Sequence, residues 1–123
     1  MVKIYGYKKC STCQQALKFL SSQNIEFTEL PIIDQPPTRA ELKLMLKCLE
    51  LSGGSLKNLF NTSGEQYRSL EISQKLKAGL SEAEALGLLA SNGKLIKRPF
   101  VLAGQRGLVG FNPDIWKKWI SGL

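Results

Sequence analysis

An α/β fold built on a small, four-stranded mixed sheet with an all-helical insertion is what this sequence predicts. Three observations carry that expectation. The first thirty residues read as strand, cysteine-bearing turn, helix and strand. Residues 38–92 hold only helical signals. From Phe100 onward the chain reads as two short strands and a closing helix. Its 123 residues are enough for one core and too few for two comfortable domains.

Each element has a local cause. Val2-Lys3-Ile4-Tyr5 alternates apolar and polar residues, and Gly6 opens a turn. Cys13, Ala16, Leu17 and Leu20 then recur at helical spacing, with Gln14, Gln15 and Lys18 on the other side and an end expected near Asn24. Ile25 to Leu30 alternates as a half-buried strand, which completes a βαβ unit with two parallel strands. Thr38 with Glu41 forms a capping box before the apolar face of Leu42, Met45, Leu46 and Leu49, and Gly53-Gly54 breaks that helix. Ser55 to Phe60 and Ile72 to Lys77 are short helical segments, separated by the tight loop Asn61-Thr62-Ser63-Gly64, and Gly79 stops the second. Ser81 with Glu84 is a second capping box, and Asn92-Gly93 ends the helix it starts. Phe100–Ala103 and Leu108–Phe111 flank Gly104-Gln105-Arg106-Gly107 as a hairpin. Asn112 and Pro113 are N-cap and first residue of the last helix, whose apolar face is Ile115, Trp116, Trp119 and Ile120. The order βαβ, helices, ββα is that of a thioredoxin-like, glutaredoxin-type core. The core is expected at 1–33 and 94–123, and the helical insertion at 34–93, within one domain.

Composition narrows the function. A hydrophobic fraction of 43% is ordinary for a globular chain. No apolar run approaches a membrane span, and no signal-peptide pattern opens the chain. The expected location is the cytoplasm, where a Cys-x-x-Cys serves catalysis or sensing more often than structure. Net charge is +7, but the lysines are scattered and no aromatic-studded basic stripe exists, so direct binding of nucleic acid is not expected. The absence of histidine removes Ser-His and Cys-His nucleophile pairs and His-based metal sites.

The chemistry centres on Cys10-Ser11-Thr12-Cys13 at a strand-to-helix turn. Unpaired backbone N–H groups and the helix dipole at such a turn favour an anionic sulfur, so the Cys10 thiol is expected to be unusually acidic. Cys13 lies one turn on, on the same face, in position to resolve an adduct of Cys10. A zinc site would need a second ligand pair, and only Cys48 is left; Cys48 reads as a small core residue. A structural disulfide across so short a loop would remove little entropy from the unfolded chain. Ser11 and Thr12 have two readings: donors to a Cys10 thiolate, or solvation of the helix start. Arg98-Pro99 also has two: an ordinary strand entry, or a cis proline turned toward Cys10 beside an arginine that holds a thiolate or oxyanion. Lys94 and Lys97 read as solubility charges, and Trp116 and Trp119 as core anchors.

Three spaced motifs also carry a family resemblance. They are Tyr5-Gly6-Tyr7-Lys8-Lys9-Cys10-Ser11-Thr12-Cys13; Leu59 to Gly64 with Tyr67-Arg68; and Leu88 to Pro99, followed by Val109-Gly110-Phe111. Together they resemble the ArsC/Spx family over nearly the whole chain, most closely its Spx/MgsR-like and arsenate reductase-like branch. The resemblance implies a thioredoxin-like fold with a helical insertion and a cis bond before Pro99. It implies Cys10 as nucleophile and Arg98 as one of three oxyanion-binding arginines. The other two fall at or near Asn61 and Gly110, and losing two cations predicts weak arsenate binding. Spx-like regulators use the same cysteine pair as a redox switch and bind RNA polymerase through the C-terminal domain of its α chain. This chain departs from Spx in stopping at Leu123 without an extended tail and in carrying Gln14 and Gln15 where Spx is basic.

The expected site is therefore Cys10, Cys13 and Arg98, with Ser11, Thr12, Pro99 and Asn61 stabilising substrate or thiolate, and a Cys10–Cys13 disulfide as the oxidised form. The expected function is that of a cytosolic thiol–disulfide oxidoreductase. It would be monomeric, without metal or bound cofactor, and reduced by glutathione, thioredoxin or glutaredoxin. The alternative is a redox-sensing transcription regulator that binds the α subunit of RNA polymerase. Arsenate reductase proper ranks third.

Overall fold

The computed structural model describes residues 1–123. Strand β1 (Val2–Gly6) leads through the Cys10 turn into helix α1 (Ser11–Ser22), and β2 (Phe27–Pro31) follows. Asn24 takes a left-handed φ of 58° just past the helix and turns the chain back toward the sheet. Helices α2 (Arg39–Leu51), α3 (Glu65–Ser69), α4 (Ile72–Lys77) and α5 (Glu82–Ser91) come next, with short 3₁₀ turns at Leu56–Leu59 and Gly93–Leu95. Strands β3 (Phe100–Ala103) and β4 (Arg106–Val109) and helix α6 (Pro113–Ile120) complete the chain. Both capping boxes form as the sequence predicts, Thr38 with Glu41 and Ser81 with Glu84. Asn112 caps α6 by accepting from the N–H groups of Asp114 and Ile115.

The sheet order is β2-β1-β3-β4. β1 and β2 run parallel, with Val2 opposite Phe27, whereas β3 is antiparallel to both β1 and β4. This is the mixed sheet of a thioredoxin-like core. The alternation of side chains along the strands splits the interior into two layers. Tyr5, Phe100 and Leu102 face α2, α5 and the connecting turns, in a cluster with Met45, Phe60 and Leu89. Val2, Ile4 and Val101 face α1 and α6, against Ala16, Leu20, Trp116 and Trp119.

Three local expectations need correction. The last strand runs Arg106–Val109, two residues earlier than the sequence suggests. Gly110 has a φ of 71°, which ends the strand, and its N–H turns to the Pro99 carbonyl at 2.8 Å. The hairpin loop shrinks to Gly104-Gln105, with Gly104 supplying the positive φ of 61° that a two-residue turn requires. Glu65–Ser69 forms the further short helix α3 inside the stretch that the sequence reads as wholly helical. Ile115 is exposed rather than part of the apolar face of α6, which Trp116, Trp119 and Ile120 present to the layer under Val2 and Val101.

Close packing positions the later half of the chain. The connection after α5 crosses the end of β2 so tightly that a Cβ on Gly93 would sit 1.9 Å from the Ile32 carbonyl oxygen. Beyond it, Ile96 pairs with Phe60 as an isolated antiparallel bridge. Asn61 N–H donates to the Leu95 carbonyl and Lys97 N–H to the Leu59 carbonyl, each at 2.8 Å. These bonds fix the path that delivers Arg98 and Pro99 to the start of β3.

Candidate active site at the start of the first helix

Cys10 is the N-cap of α1, with extended backbone angles (φ −94°, ψ 110°) and the side chain turned back over the helix start. Its Sγ accepts a hydrogen bond from the Cys13 backbone N–H at 3.3 Å, the place a serine or aspartate oxygen takes in an ordinary N-cap. The turn that brings it there is closed by the Cys10 N–H donating to the Tyr7 carbonyl at 3.0 Å and by Gln14 Nε2 donating to the Lys8 carbonyl at 3.3 Å. Both thiols are free.

The two sulfurs differ in environment. Cys10 is half-buried and Cys13 is 2% exposed, packed against Gly6. Burial alone would raise the Cys10 thiol. The Cys13 side chain, the Cys13 backbone N–H and the positive Arg98 guanidinium outweigh it and hold Cys10 below its ordinary value. Burial also acts on Cys13, and there the proximity of Cys10 reinforces it, so that thiol is pushed up to about 12. The pair divides into one half-buried thiol held below its ordinary value and one buried thiol held above it.

Arg98 is half-buried, and the Arg98–Pro99 peptide bond is cis. The Arg98 guanidinium lies over the Tyr7 ring, with Cζ 5.2 Å from the ring centroid. Asn61 and Arg98 line one polar cavity of about 220 Å³ with Tyr7, Gly64, Glu65 and Lys94. Tyr7 and Lys94 also line a neighbouring groove of about 700 Å³, together with Lys8, Lys9, Glu29, Leu30 and Asp34. Cys10, Cys13, Arg98, Pro99 and Asn61 thus come from separate stretches of chain to one end of the sheet. Ser11 is exposed and Thr12 half-buried, and neither hydroxyl hydrogen-bonds to Cys10 Sγ. Lys94 joins the site as a cavity-lining cation, although the sequence reads it as a solubility charge. Tyr7 is the residue that sequence reasoning passes over. Its signals there are its place three residues before Cys10 and its position within the first of the three family motifs.

Arg106 stands apart from the site. Its guanidinium stacks on Trp119, with Cζ 5.3 Å from the ring centroid, at the C-terminal helix. Cys48 is half-buried on α2, with Sγ 3.5 Å from the Gln105 carbonyl oxygen. No group of three or more Cys, Asp or Glu side chains is arranged to hold a metal ion. No helix is long and apolar enough to cross a membrane.

The chain is similar to known proteins along nearly its whole length. The model of the ArsC family matches residues 5–119. The uncharacterised protein YusI of Bacillus subtilis is 47% identical over 110 residues, covering 89% of this chain and 90% of that protein. The crystal structure of an ArsC family related protein from Bacteroides fragilis superposes with a TM-score of 0.83 at 46% identity, covering 95% of each chain. The global transcriptional regulator Spx of Streptococcus mutans is 28% identical, over 93% of this chain and 79% of the regulator.

Proposed function

Since the chain belongs to the ArsC family, we propose that it is a thiol–disulfide oxidoreductase with Cys10 as nucleophile and Cys13 as resolving thiol. One observation carries the reading: the half-buried sulfur of the pair sits at a helix start, bonded to a backbone N–H and lowered in pKa, while its partner is buried and raised. That is the order of acidity a two-step exchange needs. The Cys10 thiolate attacks one sulfur of a substrate disulfide, forms a mixed disulfide and releases the other sulfur as a thiolate. Cys13 then gives up its proton, which the departing thiolate takes, and attacks Cys10 Sγ. The substrate is released as a second thiol, and the Cys10–Cys13 disulfide remains. Two electrons from an external thiol, glutathione or a thioredoxin or glutaredoxin system, restore the pair. Arg98 steadies the anionic sulfur at each stage by charge.

The test is the rate of Cys10 alkylation against pH, followed on the Cys10 peptide, together with turnover of a small disulfide. A midpoint well below that of free cysteine, with turnover lost in Cys10→Ser, is expected. A midpoint at the value of free cysteine overturns the reading.

A second reading has one structural observation in its favour. Leu51 is 89% exposed beside the Gly53-Gly54 break, an apolar side chain offered to solvent at a loop. In a regulator like the Spx relatives, that surface would meet the α subunit of RNA polymerase, and the redox state of Cys10 and Cys13 would set the affinity. Capture of the C-terminal domain of the polymerase α chain that differs between reduced and oxidised protein would support it, and capture in neither state removes it. Arsenate reduction ranks below both. Asn61 is uncharged, and Gly110 holds a left-handed backbone with the Lys97 side chain 3.1 Å from where a Cβ would sit, so an arginine is disfavoured there.

A further inference from the structure

We propose that Tyr7 is a positioning residue: its ring holds the Arg98 guanidinium beside Cys10 and ties the two halves of the site into one unit. The inference rests on the redox reading of Cys10 given above. An arginine head on a long, flexible side chain samples many positions unless something anchors it. Arg98 has no carboxylate anchor, since the molecule's one ion pair joins Lys3 to Glu41. Glu65 lines the same cavity without pairing with Arg98. Besides Cys10, whose sulfur it draws toward the anion, the guanidinium lies over the face of Tyr7, at 5.2 Å.

Tyr7 is well placed to act as a platform because it is fixed from both directions. Its carbonyl receives the Cys10 N–H at 3.0 Å, so the residue that carries the ring also closes the turn that carries the nucleophile. The residue before it, Gly6, accepts the Ile32 N–H at 3.0 Å and locks the end of β1 to the chain leaving β2. Tyr7 also lines both neighbouring cavities. The Tyr7 hydroxyl makes no hydrogen bond within the protein, so the aromatic face is the working part. Phenylalanine should therefore replace tyrosine without loss, and an aliphatic residue should not.

The experiment measures Cys10 alkylation against pH in the full chain. Tyr7→Leu is expected to shift the thiol midpoint upward and to slow alkylation near neutral pH by roughly two- to fivefold, the size of a partly exposed cation–π contact. Tyr7→Phe is expected to retain the wild-type profile. Arg98→Gln should slow alkylation in the wild-type background and change it less in the Tyr7→Leu background, because the arginine there is already adrift. An unchanged profile in Tyr7→Leu overturns the inference, as does Tyr7→Phe behaving like Tyr7→Leu, or an equal Arg98→Gln effect in both backgrounds. Should Tyr7→Leu fail to fold, Tyr7→Met measured in the same way takes its place. A wild-type Cys10 that titrates as an ordinary thiol removes the redox reading itself, whereas an acidic Cys10 indifferent to residue 7 removes only the role of Tyr7.

Discussion

The difference between Cys10 and Cys13 is set within three residues, by which sulfur lies outside the helix and which lies inside. Cys10 precedes the first turn and meets its free N–H groups; Cys13 is the third helical residue and points into the core beside Gly6. Linkage gives the two opposite signs. The folded Cys10 thiol lies below its ordinary value of 9.0, so its ionisation favours the folded state above that pH, and this contribution disappears as pH falls through the folded value. The folded Cys13 thiol is raised to about 12, so the stability it contributes is complete below 9.0 and is lost as pH climbs toward 12. The division of labour predicts how a variant behaves. Cys13→Ser should retain the first step and lose the second, so incubation with a small disulfide leaves a stable adduct on Cys10, visible as added mass, and multiple turnover stops. Rapid, adduct-free turnover by Cys13→Ser would show that residue 13 does not resolve the intermediate.

At the scale of elements, one carboxylate joins the start of α2 to the middle of β1. Glu41 accepts from the Thr38 backbone N–H at 3.0 Å as half of its capping box. It also accepts from the Tyr5 hydroxyl and from Lys3 Nζ, both at 2.8 Å. Burial tends to raise the Glu41 carboxyl, and the Lys3, Thr38 and Tyr5 bonds together bring it below its ordinary 4.5. Tyr5 moves the other way, to about 12, through burial and its bond to Glu41. Glu41→Ala should therefore cost about 2 kcal/mol in urea unfolding, the sum of a lost cap and a lost half-buried hydrogen bond. Because a lowered carboxyl stabilises the folded state above pH 4.5 and releases that stability as pH falls, the variant should also lose part of the acid-side slope of the wild type. Identical acid limbs in the two proteins would contradict this account. The capping boxes were legible from the sequence because Thr-x-x-Glu and Ser-x-x-Glu depend on neighbours three residues apart. The bonds from β1 to Glu41 were not, since they span more than thirty-five residues.

Across the whole molecule, the site exists because the helical insertion returns the chain to the end of the sheet where α1 begins. That return passes through Gly93, the one point where backbone meets backbone too closely for any side chain. Gly93→Ala should cost about 3 kcal/mol, since the obstacle is the Ile32 carbonyl rather than a flexible side chain. It should also raise the Cys10 thiol midpoint in the protein that remains folded, because displacement of residues 94–98 carries Arg98 away. A variant with wild-type stability would mean that the crossing is looser than the geometry indicates.

The sequence by itself determined the α/β class, the parallel first pair of strands, both capping boxes, the hairpin and the Cys10–Cys13 pair at a helix start. All of these follow from short local patterns read in order along the chain, where periodicity, caps and turn residues act directly. Only the tertiary structure decided that the β4 strand begins at Arg106, that Ile115 faces solvent, and that the Arg98 guanidinium lies over the face of Tyr7. Those outcomes depend on contacts between segments distant in sequence, and the free energy that selects them comes from packing and charge in three dimensions. No local pattern in the chain encodes that term.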